Sequence, residues 1–282
     1  MRYRPILAAA AGALAVVHVV GILTGVPLLR QAELAALLLL SAYALTARPP
    51  GRSWVVPVAL TALVVDAWVT MPAESADQGW QVLRPGAADA TQGFVTGARL
   101  SWAALVFVLV LLLTVRWREA RPSRPTFAGT VLAAVLVTGY AVVRLVEIHR
   151  AVPDAQRLRP GFGGQPDLAV TAAVLAPLTL ALGALVLAAL LSGRRQRLAA
   201  GGAALLALVA LTYLDAALSL TPLPSYLERG TLSTAAFQGT ERLPALGPAI
   251  VAAVELSAYL LLVVGVSARQ AVPAGPGGRS HR

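Results

Sequence analysis

Two aspartates stand in apolar runs with matching surroundings: Asp66 in ALVVDAWVTMP (62–72) and Asp215 in LTYLDAALSLTP (211–222). Each is followed by alanine, by a hydroxyl residue four positions on (Thr70, Ser219) and then by proline. A carboxylate inside an apolar helix is costly, and acids kept there mark substrate paths or proton relays. The matching contexts point to a paired acid site. Glu255 is a third candidate, within an apolar run and with Tyr259 four residues on. Residues three or four apart share a helix face, so Tyr140, Arg144 and Glu147 form one polar stripe and Thr212, Asp215 and Ser219 another. Counting back from the prolines that close these runs places Asp66 and Asp215 roughly 9–10 Å deep, and His18 and Arg144 roughly 13 Å deep.

In this reading Asp66, Asp215 and Glu255 are the catalytic acids. Arg144 with Glu147 binds a polar head group, and Tyr140, His18, Trp68 and Tyr259 complete the substrate pocket. The simpler alternative is an ion network in which Arg144 neutralises one carboxylate and fixes helix packing. A single arginine cannot neutralise Asp66, Asp215, Glu147 and Glu255, which leaves a surplus carboxyl as a proton donor or coupling site. His18, His149 and His281 are too scattered for a zinc or haem constellation; His18 alone reads as a packed or hydrogen-bonded histidine. No metal and no cofactor is therefore expected. The chain has no lysine, which excludes a Schiff-base cofactor or a phosphate-loop lysine. It has no cysteine, which excludes disulfides and thiolate metal sites. HExxH, GxSxG and DxxxD motifs and a Gly-rich phosphate loop are absent as well.

These groups need a membrane scaffold. The 282 residues are 57% hydrophobic and only 13% charged, with a mean hydropathy of +0.73, whereas soluble domains are about a quarter charged. Eight apolar segments of membrane-crossing character can be marked, at roughly 5–27, 31–47, 54–72, 98–115, 127–148, 168–192, 199–221 and 245–267. The expected fold is all-α, a polytopic membrane helix bundle of eight transmembrane helices. All 23 basic residues are arginine. The clusters Arg116–Arg124 and Arg194–Arg197 put most of them on one side, so both termini are expected in the cytoplasm. The polar groups then fall in the outer half of the bilayer, in a pocket walled by the first, third, fifth, seventh and eighth segments. Arginines in short loops set topology, so the net charge of +10 does not imply nucleic acid. The bias toward Ala, Leu, Val, Gly, Pro and Arg reads as GC-rich bacterial coding. Expected surroundings are the cell membrane and its lipids, with a homo-oligomer or a protein on the cytoplasmic loops left open.

AVVHVVGILTGVP (15–27) aligns without gaps on AVVRLVEIHRAVP (141–153), setting His18 opposite Arg144. The third and seventh segments share Asp-Ala, and the stretches after them share Gln-Gly (Gln92-Gly93, Gln238-Gly239). Segments 1–4 and 5–8 are therefore expected to be parallel four-helix repeats, residues 1–125 and 126–268, with a disordered cytoplasmic tail at 269–282. Long outer connections are expected at about 73–97, 149–167 and 222–244. Gly21 and Gly25 have the spacing of a small-residue packing face, and Pro177 is expected to kink the sixth segment.

Three functions fit this pattern. The first is an intramembrane acid–base enzyme acting on a lipophilic prenyl or lipid substrate, such as a cyclase or isomerase. The second is a proton-coupled transporter or exporter of a small molecule, and the third a non-catalytic permease subunit or assembly factor. Polar groups confined to one side, with no matching helix breaks in the two halves, lean toward the enzyme.

Overall fold

The computed structural model describes residues 3–46, 54–70, 89–114, 122–158, 165–194, 196–220 and 246–268. These are almost all helical: α1 (Arg4–Thr24), α2 (Pro27–Arg30), α3 (Ala32–Thr46), α4 (Val55–Val69), α5 (Ala90–Thr114), α6 (Arg124–Leu158), α7 (Pro166–Gly193), α8 (Arg197–Leu220) and α9 (Leu246–Ala268). Among the described residues, seven helical stretches are long and apolar enough to cross a membrane, the second being Leu28–Thr46. The one expected span outside these seven, the third (α4), is shorter. Its 15 described residues reach about 22 Å, less than the roughly 30 Å of a bilayer core. The architecture is that of a multi-pass helical membrane protein.

Two boundaries differ from the hydropathy reading. α5 begins at Ala90 rather than near residue 98, because Asp89 caps it: the Gln92 amide donates to Asp89 Oδ1 at 2.7 Å. The extra turns are polar, so hydropathy misses them. α6 runs past Pro153 to Leu158, so the expected connection at 149–167 is largely helix. The connection expected at 222–244, the Gln238-Gly239 match and the 269–282 tail lie outside the described residues.

α1 ends in a Schellman closure. Gly25 takes a left-handed φ of 67°, and the Val26 and Gly25 amides return to the Gly21 and Ile22 carbonyls at 3.1 and 3.3 Å. Gly25 makes the turn, and Gly21 is the close-packed position, where a side chain would meet Leu29 and Arg30 of α2. The chain doubles back, and the Arg4 guanidinium donates to the Thr46 carbonyl at 2.6 Å, tying the start of α1 to the end of α3.

α1, α3, α4 and α5 pack each on its predecessor, as do α6, α7, α8 and α9. The two sets join where α5 lies on α7 and α8, and where α9 lies on α1 and α3. α7 is the central helix, with 56% of its span buried, against 17% for α1 and α6 at the periphery. The tightest crossing is α5 on α7. A Cβ added to Gly93 or Gly97 would overlap the carbonyl oxygen of Ala169 or Ala173, so small residues let these backbones touch. Pro177 lies inside α7 without ending it. A proline has no N–H, so the Ala173 carbonyl lacks its helical donor, and this is the carbonyl that Gly97 approaches. α8 and α9 meet in the same way through Gly202 and Gly265, where added Cβ atoms would lie 2.6 Å from Ala258 O and 2.5 Å from Ala199 N.

Candidate functional site

Near the end of α4 and the start of α3, beside the middle of α5, a cavity opens among α3, α4, α5, α8 and α9. Three carboxyl groups line it, Glu33, Asp66 and Glu255, together with the hydroxyls of Tyr213 and Tyr259. Leu37, Leu63, Leu100, Ala103 and Ala104 form the rest of its wall. The volume open to water centres is about 20 Å³, room for one or two water molecules.

Each acid has a defined holder. Trp102 of α5 donates its indole N–H to Asp66 Oδ1 at 2.8 Å. Tyr259, one turn beyond Glu255 on α9, donates to Glu255 Oε1 at 2.8 Å, and the Tyr213 hydroxyl of α8 bonds the same carboxyl. Glu33 is the second residue of α3 and faces His18 of α1, with Nε2 3.5 Å from Oε2. The Tyr259 ring stands edge-on to Phe107, their centroids 5.3 Å apart. Phe107, Leu60 and Leu262 are fully buried in the main core.

Asp215 belongs elsewhere. Its Oδ2 accepts from the Tyr140 hydroxyl at 2.6 Å and its Oδ1 from Arg144 Nε at 3.0 Å, while Arg144 Nη1 reaches Glu147 Oε2 at 2.6 Å. This cluster clasps α6 to α8, and its charged side chains are between a third and just over half exposed. The expected pairing of Asp66 with Asp215 is thus not what the structure forms: α4 turns its aspartate toward α5, and α8 turns its own toward α6. Their shared motif has a local cause. Thr70 Oγ1 donates to the Asp66 carbonyl and Ser219 Oγ to the Ala216 carbonyl, at 2.7 and 2.9 Å, so the hydroxyls bond the preceding helical turn and not the carboxylates. Thr212 likewise bonds the Val209 carbonyl at 2.7 Å.

The cavity therefore gathers Asp66, Glu255 and Tyr259 of the expected site, and His18 adjoins it through Glu33. Arg144, Glu147 and Tyr140 sit with Asp215 in the clasp. Trp68 is 67% exposed on the outside of α4 and is not part of the cavity wall; it fits an interfacial aromatic. The second and fourth apolar segments supply walls in place of the first and fifth. Glu33 and Tyr213 were not singled out from the sequence. Glu33 looks like an ordinary first-turn acid facing a helix N-terminus, and only the α1–α2 turn brings His18 against it. Among the described residues no group of His, Asp and Glu is arranged to hold a metal ion.

Arg144 balances two acids, so its loss should cost more than the loss of either one. Arg144→Leu leaves Asp215 and Glu147 without their cation and is expected to destabilise the protein by about 2–3 kcal/mol. Asp215→Asn keeps Glu147 on the arginine and should cost about 1 kcal/mol. Unfolding in mixed micelles measures both, and equal costs would argue against a shared arginine.

Compared with protein-family models, curated proteins and solved structures, the chain matches none. The fold and site define its class as a multi-pass helical membrane protein.

Proposed function

We propose that this is a proton-coupled membrane transporter of a small solute, and that Glu33, Asp66 and Glu255 form its coupling site. The carrying observation is the cavity itself: three carboxyl groups around about 20 Å³, with Arg144 bonded elsewhere. Such a space suits protons and one or two waters, as a coupling site requires, and this favours the transport reading over the enzyme. With both termini in the cytoplasm, the orientation the positive-inside pattern favours, the cavity would lie in the outer half of the cell membrane. The matching neighbour order of α1, α3, α4, α5 and of α6 to α9 supports two parallel four-helix repeats, with the cavity at their junction.

Vesicles containing the protein and holding a proton gradient are expected to accumulate or release a small solute that control vesicles do not. A protonophore should erase the difference. Untargeted mass spectrometry of vesicle contents and lipids reads this directly. Conversion of a lipid or prenyl compound that persists in detergent, where no gradient exists, would instead establish an acid–base enzyme.

A further inference from the structure

We propose that His18 and Glu33 share a single proton, and that this pair is the station through which protons enter the carboxyl cavity. The inference deepens the transport reading and rests on it for its purpose, though not for its geometry.

His18 is 7% exposed, and its Nδ1 lies 2.8 Å from the Arg30 backbone carbonyl. A carbonyl only accepts, so Nδ1 carries a hydrogen and the tautomer is fixed. Nε2 then faces Glu33 Oε2 at 3.5 Å. Two bare lone pairs facing each other would repel, so one proton belongs between them. It sits either on Nε2, giving imidazolium and carboxylate, or on Oε2, giving imidazole and carboxylic acid. Transfer breaks one N–H bond and forms one O–H bond, with the pair neutral in both forms. The 3.5 Å gap closes by rotation about the soft terminal torsion of the glutamate.

Groups facing this pair come from each element packed on α1. α2 supplies the Arg30 carbonyl. α3 supplies Glu33 itself, and α9 supplies Glu255 and Tyr259 across the cavity that Glu33 lines. Among the described residues Glu33 is thus the acid that touches both the histidine and the cavity, and a proton received on its carboxyl group is at the cavity wall. Asp66 lines that wall from α4.

The corresponding place in the second half shows why this is more than packing. The gapless alignment sets His18 opposite Arg144, and both reach an acid on a neighbouring helix. An arginine does not release its proton in a protein, so the Arg144 clasp stays ionic. Histidine at the equivalent position turns a fixed ion pair into one that can exchange.

The test is ¹⁵N NMR of histidine-labelled full-length protein in lipid nanodiscs, with His149→Gln and His281→Gln leaving His18 as the sole signal. The expected spectrum has a protonated Nδ1 and an Nε2 whose signal reports a proton shared with Glu33. Glu33→Gln should move the Nε2 signal clearly, while Glu147→Gln leaves it in place. A bare Nδ1, or an Nε2 signal that ignores Glu33→Gln, would overturn the proposal. In the vesicle assay His18→Arg keeps a cation against Glu33 but cannot give up its proton, so it should abolish gradient-driven movement while folding normally; full transport by His18→Arg would also overturn it. A proton shared in the NMR experiment by a protein that moves no solute would sink the transport reading and leave the proton-sharing pair standing.

Discussion

Asp66→Asn is expected to abolish gradient-driven solute movement, and Asp215→Asn to leave it within about a factor of two. Their sequence surroundings are nearly interchangeable, so only their places in the bundle can separate them. Asp66 stands in the cavity wall on a tryptophan N–H. Asparagine there still accepts that hydrogen bond but cannot take up or release a proton, so the shape persists while the chemistry stops. A loss of about 100-fold or more is the scale for removing a proton-transfer group. Asp215 is bonded to Tyr140 and Arg144 on the half-exposed side of α8; asparagine can still accept from Arg144 through its oxygen and donate its amide N–H to the Tyr140 hydroxyl. The vesicle assay on the two variants decides the matter. Equal loss of transport in both, with both folded, would revive the paired-aspartate reading.

Gly97→Leu is expected to unfold the α5–α7 crossing, at a cost of about 3 kcal/mol or more. The first added carbon already collides with the Ala173 carbonyl, and a backbone carbonyl cannot rotate aside as a side chain can. The carbonyl is doubly constrained, since Pro177 has removed its helical donor and the Gly97 Cα–H is the group set against it, a weak but favourable contact. Gly139→Ala provides the contrast: nothing lies within 4 Å of a Cβ there, and alanine improves helix propensity by about 1 kcal/mol. Thermal unfolding and the monodisperse fraction after detergent extraction should move in opposite directions for the two. If Gly97→Leu is as stable as the parent, the backbones are not in contact.

The helices were legible because hydrophobic runs of membrane length have few other uses. Their ends were less so. The cap on α5 is one aspartate in a polar stretch, and α6 passes through a proline that reads as a stop. The membership of the site was harder still. Asp66 and Asp215 carry the same short motif, but that motif reports how a hydroxyl bonds the preceding turn of its own helix. Which neighbour each acid faces depends on helix rotation and crossing, and those are set by contacts such as Gly97 on Ala173, spread over 76 positions of chain. Glu33 was hidden for the opposite reason: at the second position of a helix an acid needs no special explanation. Its contact with His18 follows from the left-handed Gly25 and the short α2, which fold the chain back within a few residues.

The closing wall of the cavity has a consequence for how the protein is made. Glu255 and Tyr259 lie on α9, synthesised last of these helices and more than two hundred residues after Glu33. At ordinary synthesis rates of about 5–20 residues per second, roughly 10 to 45 seconds separate them. During that interval the first-half acids stand in an open groove between α3, α4 and α5, facing whatever lies beside the insertion machinery. Arrival of α9 against α1, α3 and α8 covers the groove and completes the acid cluster in one event. A chain stalled before that point leaves Glu33 and Asp66 without the wall that Glu255 and Tyr259 provide.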